Sequence, residues 1–211
     1  FSAGGLAVTQ VTIEGAVGKL EAEFYKSAAE SKAVYGLLCH PHPLYGGSMH
    51  DRVIGFVDNA LREQGFGSLK FNFRGVGDSV GAHDKGIGEV DDVAAVASWL
   101  RDNADVDQLV LIGYSFGAIV TLNAHTQVDC DQLILLAPPV LMMPTLGSFS
   151  KPCLAILGGS DLIVEPIETI TWLEAAGGSC EIITDADHFF ANSCDEMGSL
   201  ISTFIKAASD N

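Results

Sequence analysis

The sequence has few basic residues. Lys and Arg number 11 against 27 Asp and Glu, which gives a formal net charge of −16. Such a charge repels polyanions unless basic residues are concentrated locally, and no basic patch occurs along the chain. We therefore expect no nucleic-acid partner and no anionic membrane surface as a partner, and we expect high solubility.

Long apolar runs are also lacking. No stretch reaches the roughly 18 apolar residues of a membrane span, and the first residues do not form a basic segment followed by an apolar one. We expect no membrane insertion, and a cytoplasmic location is the default expectation. The chain starts at Phe1 and not at Met, so its first residues, FSAGG, are not used to predict the fold.

Closely paired cysteines of the C-x-x-C type are absent. The five cysteines are odd in number and widely spaced, and three of them stand beside or within apolar runs. This pattern predicts buried free thiols in a reducing compartment. The five are Cys39, Cys130, Cys153, Cys180 and Cys194.

The size and composition of the chain predict one folded domain over residues 1–211. The chain is 48% hydrophobic and 18% charged, and it is long enough to bury one large core. Internal repeats and low-complexity tracts are absent from the sequence. Nothing in this composition requires a second domain.

The hydrophobic pattern predicts an α/β fold with a mostly parallel sheet and helices on both faces. Two alternating segments, 7–15 and 19–27, predict an antiparallel hairpin at one edge of the sheet. Residues 138–152 are apolar but contain four prolines, which predicts a loop over the sheet and only a minimal lid. The other predicted strands are 33–39, 67–73, 108–114, 132–137, 153–159 and 180–184. The predicted helices are 49–62, 90–100, 116–124, 166–176 and 197–208.

Ser115 stands in the pentapeptide Gly-Tyr-Ser-Phe-Gly, where a predicted strand becomes a predicted helix. A G-x-S-x-G turn in this context exposes the hydroxyl of a nucleophilic serine, and Gly113 and Gly117 allow the close contact of helix and strand. The helix start also supplies N–H groups and a positive dipole end. The alternative is that Ser115 only caps the helix.

A nucleophilic serine needs a base and an orienting carboxylate. His188 follows the last predicted strand, so its loop can bring it over Ser115. Asp161 follows the strand that ends near Gly158, and the order Ser115, Asp161, His188 matches that of α/β-hydrolase triads. The competing carboxylates are Glu165, which precedes a helix-starting proline, and the loop residues Asp185 and Asp187.

Five segments together resemble the α/β-hydrolase superfamily, and within it a group of small, lid-poor predicted hydrolases. The resemblance runs from about Val11 to Ile205 and implies the α/β-hydrolase fold and the triad above. Where members of the group continue D-H-F-F with a His-Gly pair, this chain has Ala191-Asn192, which changes the expected pocket beside His188. The segments are CHPHPLYGGSMHDRVI (39–54), LKFNFRGVGDSVG (69–81), GYSFGA (113–118), LAPPV (136–140) and DHFF (187–190).

An oxyanion hole requires two N–H donors. The first is expected from Phe116, directly after the nucleophile. The second is expected from the segment after Cys39. Because Pro41 and Pro43 have no N–H, the candidates are His42, Leu44 and Tyr45, with His42 the first choice and Leu44 the next.

The histidines and glycines of these segments are open to other interpretations. His40, His42, His50 and Asp51 could instead ligate a metal, but the prolines and Gly-Gly turn around them fit backbone shaping better. The segment 73–81 lacks the third glycine of a dinucleotide loop. Arg74 is expected either in an ion pair, with Asp78, Glu89 or Asp92, or as a plain surface charge. His83 and His125 are expected on the surface or beside a helix.

The expected function is that of a cofactor-free, metal-free serine hydrolase acting on an ester or related acyl bond of a small molecule. The alternatives are a binding protein of the same fold that has lost turnover, and acyl transfer to an acceptor other than water. The open loop favours short or projecting acyl groups. The expected acyl-pocket residues, which could equally be core or a homodimer contact, are Leu141, Met142, Met143 and Leu146.

Overall fold

The computed structural model describes residues 7–29, 32–142 and 149–207 of the chain. These residues form strands and helices in the alternating order that the sequence predicts. The strands are β1 (Thr9–Glu14), β2 (Lys19–Tyr25), β3 (Val34–Cys39), β4 (Gly67–Phe71), β5 (Gln108–Tyr114), β6 (Gln132–Leu136), β7 (Cys153–Gly158) and β8 (Ser179–Ile183). The helices are α1 (Arg52–Glu63), α2 (Gly88–Asn103), α3 (Phe116–Ala124), α4 (Pro166–Ala176) and α5 (Cys194–Ala207).

The strands of the described residues pair into one eight-stranded sheet in the order β1-β2-β4-β3-β5-β6-β7-β8. Strands β1 and β2 form the predicted antiparallel hairpin at one edge, and β2 also pairs antiparallel with β4. The other neighbouring strands are all parallel. These pairs are β4–β3, β3–β5, β5–β6, β6–β7 and β7–β8. The predicted fold class is confirmed, and the carboxyl ends of the parallel strands share one edge.

The central strands are buried on both faces, which explains their continuous apolar runs. In β5, Leu109 and Leu111 belong to a core with helices α2, α3 and α4, while Val110 and Ile112 belong to a core with α1 and α5. Because successive side chains point to opposite faces, one strand supplies both cores.

Helix boundaries differ from the predicted ones by up to three residues. Helix α1 begins at Arg52 and not at Met49, because the side chain of Asp51 accepts the N–H of Val53 at 2.8 Å and caps the helix. Helix α5 begins at Cys194, three residues before the predicted start, and its predicted end at Ala208 lies outside the described residues. None of the helices in the described ranges combines the length and hydropathy needed to cross a membrane.

All five cysteines are unpaired, and Cys39, Cys130 and Cys153 are buried. Burial raises the pKa of Cys39 and of Cys153 to about 12. A thiol with such a pKa is a poor nucleophile at neutral pH, because the thiolate is the reactive form. These cysteines therefore belong to the packing of the core.

Candidate active site

Ser115 stands at a strained turn between β5 and α3. Its φ of 53° and ψ of −117° lie outside the regions that L-residues favour, and its side chain is half-buried. The turn is tight because a Cβ on Gly117 would overlap the carbonyl oxygens of Cys39 and His40. Strain of this kind costs about 1–3 kcal/mol and persists where the surrounding packing imposes it.

The structure brings Ser115, His188 and Asp161 into one hydrogen-bonded chain. Nε2 of His188 lies 3.1 Å from Oγ of Ser115, and Nδ1 of His188 lies 2.8 Å from Oδ2 of Asp161. His188 and Asp161 are both buried, with 6% and 8% of their surface exposed. Since Nδ1 faces the carboxylate, it carries a proton, and Nε2 is free to accept the serine proton.

The second oxygen of Asp161 is held by the backbone that follows it. Oδ1 accepts the N–H of Ile163 at 2.7 Å and of Val164 at 2.9 Å. Burial raises the pKa of Asp161, but the hydrogen bonds from His188, Val164 and Ile163 outweigh that effect and leave the pKa below its usual value. The carboxylate is therefore ionised and fixed in orientation at neutral pH.

Two side chains hold the loop that carries His188. The hydroxyl of Tyr114 donates to the backbone carbonyl oxygen of His188 at 3.0 Å, and the guanidinium of Arg52 donates to that of Phe189 at 2.8 Å. Within the loop, Oδ1 of Asp187 accepts the N–H groups of Phe189 and Ala191, both at 3.0 Å. Asp187 thus shapes the loop, while Asp161 is the carboxylate that contacts the imidazole.

The two predicted oxyanion donors, Phe116 and His42, belong to neighbouring elements, the start of α3 and the turn after β3. Phe116 is the first residue of α3, where an N–H has no acceptor within the helix. The ring of His42 lies 4.8 Å from the ring of Phe116, which places the turn after β3 beside the start of α3.

Within that turn, two of the three sequence candidates use their N–H groups locally. The N–H of Leu44 donates to Nδ1 of His42 at 3.2 Å, and the N–H of Tyr45 donates to the carbonyl oxygen of His42 at 3.1 Å. Burial lowers the pKa of His42, and the nearby His83 lowers it further, so the ring is neutral and able to accept. The backbone N–H of His42 is therefore the remaining candidate for the second oxyanion donor.

Ser115 lines a cleft of about 550 Å³. Met142 lines this cleft, as the sequence predicts, whereas Leu141 is absent from the described lining. The predicted residues Met143 and Leu146 lie outside the described residues. Other apolar lining residues are Tyr45, Ile119, Ile163 and Phe189.

The residues of the metal interpretation do not come together. Nδ1 of His40 contacts the carbonyl oxygen of Pro41 at 2.7 Å, and Nε2 accepts the N–H of Phe73 at 3.1 Å, so both ring nitrogens are occupied. Across the described ranges, no group of three His, Cys, Asp or Glu side chains is arranged to hold a metal ion. The side chain of Asp51 caps helix α1.

The other residues named from the sequence have contacts or positions outside the hydrogen-bonded chain. Arg74 is buried and binds Asp92 through Nε at 3.1 Å and Nη2 at 2.8 Å, which selects one of its three expected partners. Asp185 is exposed, and Glu165 directly precedes helix α4. The side chain of His125 contacts the carbonyl oxygen of Leu122 at the end of α3.

His83 lies beside helix α2, which is one of its two expected places, and it also belongs to the candidate site. This residue lines the cleft, and its Nδ1 lies 2.8 Å from Oε1 of the fully buried Glu89, a close contact without hydrogen-bond geometry. Sequence reasoning missed it because the segment before α2 has no apolar periodicity. A signal was present in Gly81 and Gly86, both with positive φ, since clustered glycines indicate a shaped loop.

The fold and the strained serine turn define a class of protein, and comparisons with known proteins identify that class. The family model described as the alpha/beta hydrolase fold matches residues 37–146, which is more than half of the chain. The chain belongs to the alpha/beta hydrolase fold family.

Three relatives cover nearly all of the chain. The Xanthomonas campestris protein XC6422, described as an α/β serine hydrolase without a lid, is 34% identical, with a TM-score of 0.86 over 98% of this chain and 96% of its own. An α/β serine hydrolase homologue from Coxiella burnetii is 34% identical, with a TM-score of 0.85 over 91% and 94% of the two chains. The uncharacterised protein RP471 of Rickettsia prowazekii is 30% identical over 96% of this chain and 90% of its own. The fold and these relatives support a hydrolase, and the minimal lid predicted from the sequence agrees with the lidless relative.

Proposed function

We propose that the protein is a serine hydrolase that cleaves an ester or related acyl bond of a small molecule, without a cofactor. The observation that carries this proposal is the hydrogen-bonded chain from Asp161 through His188 to Ser115. A carboxylate, an imidazole and a hydroxyl in this order form a nucleophile, its base and the group that orients the base. The strained φ of Ser115 supports the proposal, because a helix cap alone does not require it.

In the first half of the reaction, Oγ of Ser115 attacks the carbonyl carbon of the substrate while its proton passes to Nε2 of His188. The carbonyl π bond becomes an oxyanion, and Asp161 stabilises the imidazolium. The oxyanion then collapses, the bond to the alcohol breaks, and His188 gives its proton to the leaving oxygen. The product of this half is an acyl ester on Ser115.

Water enters in the second half. His188 takes a proton from the water as its oxygen attacks the acyl carbon, and then returns that proton to Oγ of Ser115 as the acid leaves. Both halves develop an oxyanion at the same place. We assign the N–H of Phe116 and the N–H of His42 as its donors, supported by the position of Phe116 at the start of α3 and by the local use of the other N–H groups.

The cleft favours a small substrate with an apolar acyl group. Its volume of about 550 Å³ is in the range of small-molecule sites, and apolar side chains make up much of its lining. We assign the half-buried Ile119 to contact the acyl group, and we assign the strongly exposed Tyr45, Met142 and Phe189 to an open entrance. Short acyl esters are therefore the substrates to test first.

Hydrolysis of 4-nitrophenyl acetate tests the proposal. The wild-type protein should release 4-nitrophenol, and Ser115→Ala should lower kcat by at least about 10³-fold while the protein stays folded. Ser202→Ala is the matched control, because its half-buried hydroxyl donates to the carbonyl oxygen of Gly198 within helix α5. Equal activity of Ser115→Ala and Ser202→Ala would contradict the assignment.

A further inference from the structure

The turn that precedes helix α2 brings a second histidine and carboxylate to the cleft. Glu89 lies in the first turn of α2 and has no exposed surface. The triad uses neither Glu89 nor His83. A buried carboxylate is costly unless hydrogen bonds or charges compensate it, so its partners show what it holds in place.

The partners of Glu89 are the backbone and side chains of that turn. Its Oε1 accepts the N–H of Asp84 at 2.8 Å, and its Oε2 accepts the N–H of Gly86 at 2.9 Å. Between them, Lys85 has a φ of 56°, which a residue other than glycine adopts only when its surroundings impose it. Together with the contact to His83, the Glu89 carboxylate fixes the conformation of residues 83–86.

The fixed turn places the imidazole of His83 against two other rings. The ring centre of His83 lies 4.9 Å from that of His42 and 5.3 Å from that of Phe116, and the latter two are 4.8 Å apart. Gly86 also approaches Phe116, since a Cβ there would lie 3.5 Å from the phenyl ring. His42, His83 and Phe116 thus form a three-ring cluster, and two of its members are the proposed oxyanion donors.

We propose that Glu89 is a positioning residue for the oxyanion hole, acting through the ring of His83. This inference rests on the proposed acyl-hydrolase function. The two donors belong to separate elements, the turn after β3 and the start of α3, and oxyanion donors must be placed to within about 0.5 Å. The three-ring cluster sets their spacing, and Glu89 holds the ring that packs on both.

Kinetics and the binding of a tetrahedral mimic test this role. Both carboxylate oxygens of Glu89 accept backbone N–H groups of the turn. Glu89→Gln replaces one of these oxygens by an amide N–H₂, which cannot accept a hydrogen bond, so the turn is loosened. For 4-nitrophenyl acetate, we expect kcat to fall by about 10- to 100-fold with KM within about twofold, because the loss falls on the transition state. The affinity for an alkylboronic acid, which forms a tetrahedral adduct on the serine, should fall by the same factor.

Two variants of His83 separate packing from other effects. His83→Ala removes the ring and should lose as much kcat as Glu89→Gln. His83→Phe keeps a ring of similar size between His42 and Phe116 and should retain at least about a third of kcat, since the ring carries the effect. This pair decides the question even if Glu89→Gln does not fold.

Asp92→Asn is the matched control on the same helix. Asp92 is also fully buried, but it binds Arg74 and does not touch the three-ring cluster. It should lower stability and leave kcat within about threefold. The inference is overturned if folded Glu89→Gln or His83→Ala keeps the wild-type kcat, if the loss lies in KM alone, if His83→Phe loses as much as His83→Ala, or if Asp92→Asn loses as much as Glu89→Gln.

The two proposals fail in different ways. If the wild-type protein does not hydrolyse the ester, the proposed function fails and this inference fails with it. If the wild type is active and Ser115→Ala is inactive while the Glu89 and His83 variants match the wild type, only the positioning role is wrong.

Discussion

Nε2 of His188 lies 3.1 Å from Oγ of Ser115, although the two residues are 73 positions apart in the chain. The contact exists because β5 and β8 end at the same edge of the sheet. Ser115 follows β5 directly, and His188 stands on the loop after β8. The parallel sheet thus brings together two side chains that are far apart in the sequence.

Asp161→Asn should lower kcat by about 10³- to 10⁴-fold and change stability far less. The amide that replaces the carboxylate cannot stabilise an imidazolium, and it favours the tautomer with its proton on Nε2. Steady-state kinetics with a short activated ester measures the effect. Asp185→Asn, an exposed carboxylate in the neighbouring loop, is the control and should match the wild type. A comparable loss in both variants would refute the role of Asp161.

Tyr114→Phe should lower kcat by about 10-fold, because the loop that carries His188 loses the hydroxyl that bonds to its backbone. Tyr35→Phe is a matched control: the buried hydroxyl of Tyr35 accepts the N–H of Ser27 at 3.1 Å, and Ser27 is not part of the site. Both variants should lose about 1 kcal/mol in the free energy of unfolding, measured in urea. Only Tyr114→Phe should lose kcat, and equal kinetics in the two would contradict the account.

Ser115→Gly should be more stable than Ser115→Ala by about 1 kcal/mol or more. Glycine adopts a positive φ without the steric cost that alanine keeps, and the strain at this position is about 1–3 kcal/mol. Urea unfolding of the two inactive variants measures the difference. If Ser115→Ala were the more stable of the two, the turn would not be strained in solution.

The sequence was sufficient to predict most of the fold and the three side chains that the structure brings into one hydrogen-bonded chain. Apolar runs of strand length marked the buried strands, so the residues just after them, Ser115 and Asp161, could be assigned to one edge of the sheet. His188 followed from the last strand in the same way. These inferences depend on periodicity, on where the chain leaves a strand, on the G-x-S-x-G motif and on the order of the three residues.

The contacts of loop residues could not be predicted, because they depend on side chains that meet across the chain. Nothing in the sequence indicated that Glu89 would hold the turn of His83, or that Nδ1 of His42 would occupy the N–H of Leu44. The start of α1 was placed too early, since the apolar pattern begins before the capping residue Asp51. Periodicity describes the faces of regular elements and carries no information on such tertiary contacts.

His40 should make the protein less stable as the pH falls from about 6.5 to 4. Burial lowers its pKa to about 4, against an unfolded value of about 6.5, so the unfolded chain binds more protons in this window. The free energy of unfolding contributed by neutral His40 is present above pH 6.5 and declines by roughly 3 kcal/mol toward pH 4.

Urea unfolding between pH 7 and pH 4.5 checks this contribution. His40→Gln cannot titrate, so its free energy of unfolding should fall less steeply with decreasing pH than that of the wild type. When the free energies of unfolding of the two proteins are subtracted, the contributions from the titration of the other groups cancel. Parallel curves for wild type and His40→Gln would show that His40 is not held neutral.

The most direct test of the nucleophile is the intact mass of the protein after exposure to a fluorophosphonate. The account predicts one adduct on the wild-type protein, with loss of fluoride, and none on folded Ser115→Ala. An adduct of equal yield on Ser115→Ala, or no adduct on either folded protein, would contradict the assignment of Ser115 as an activated nucleophile.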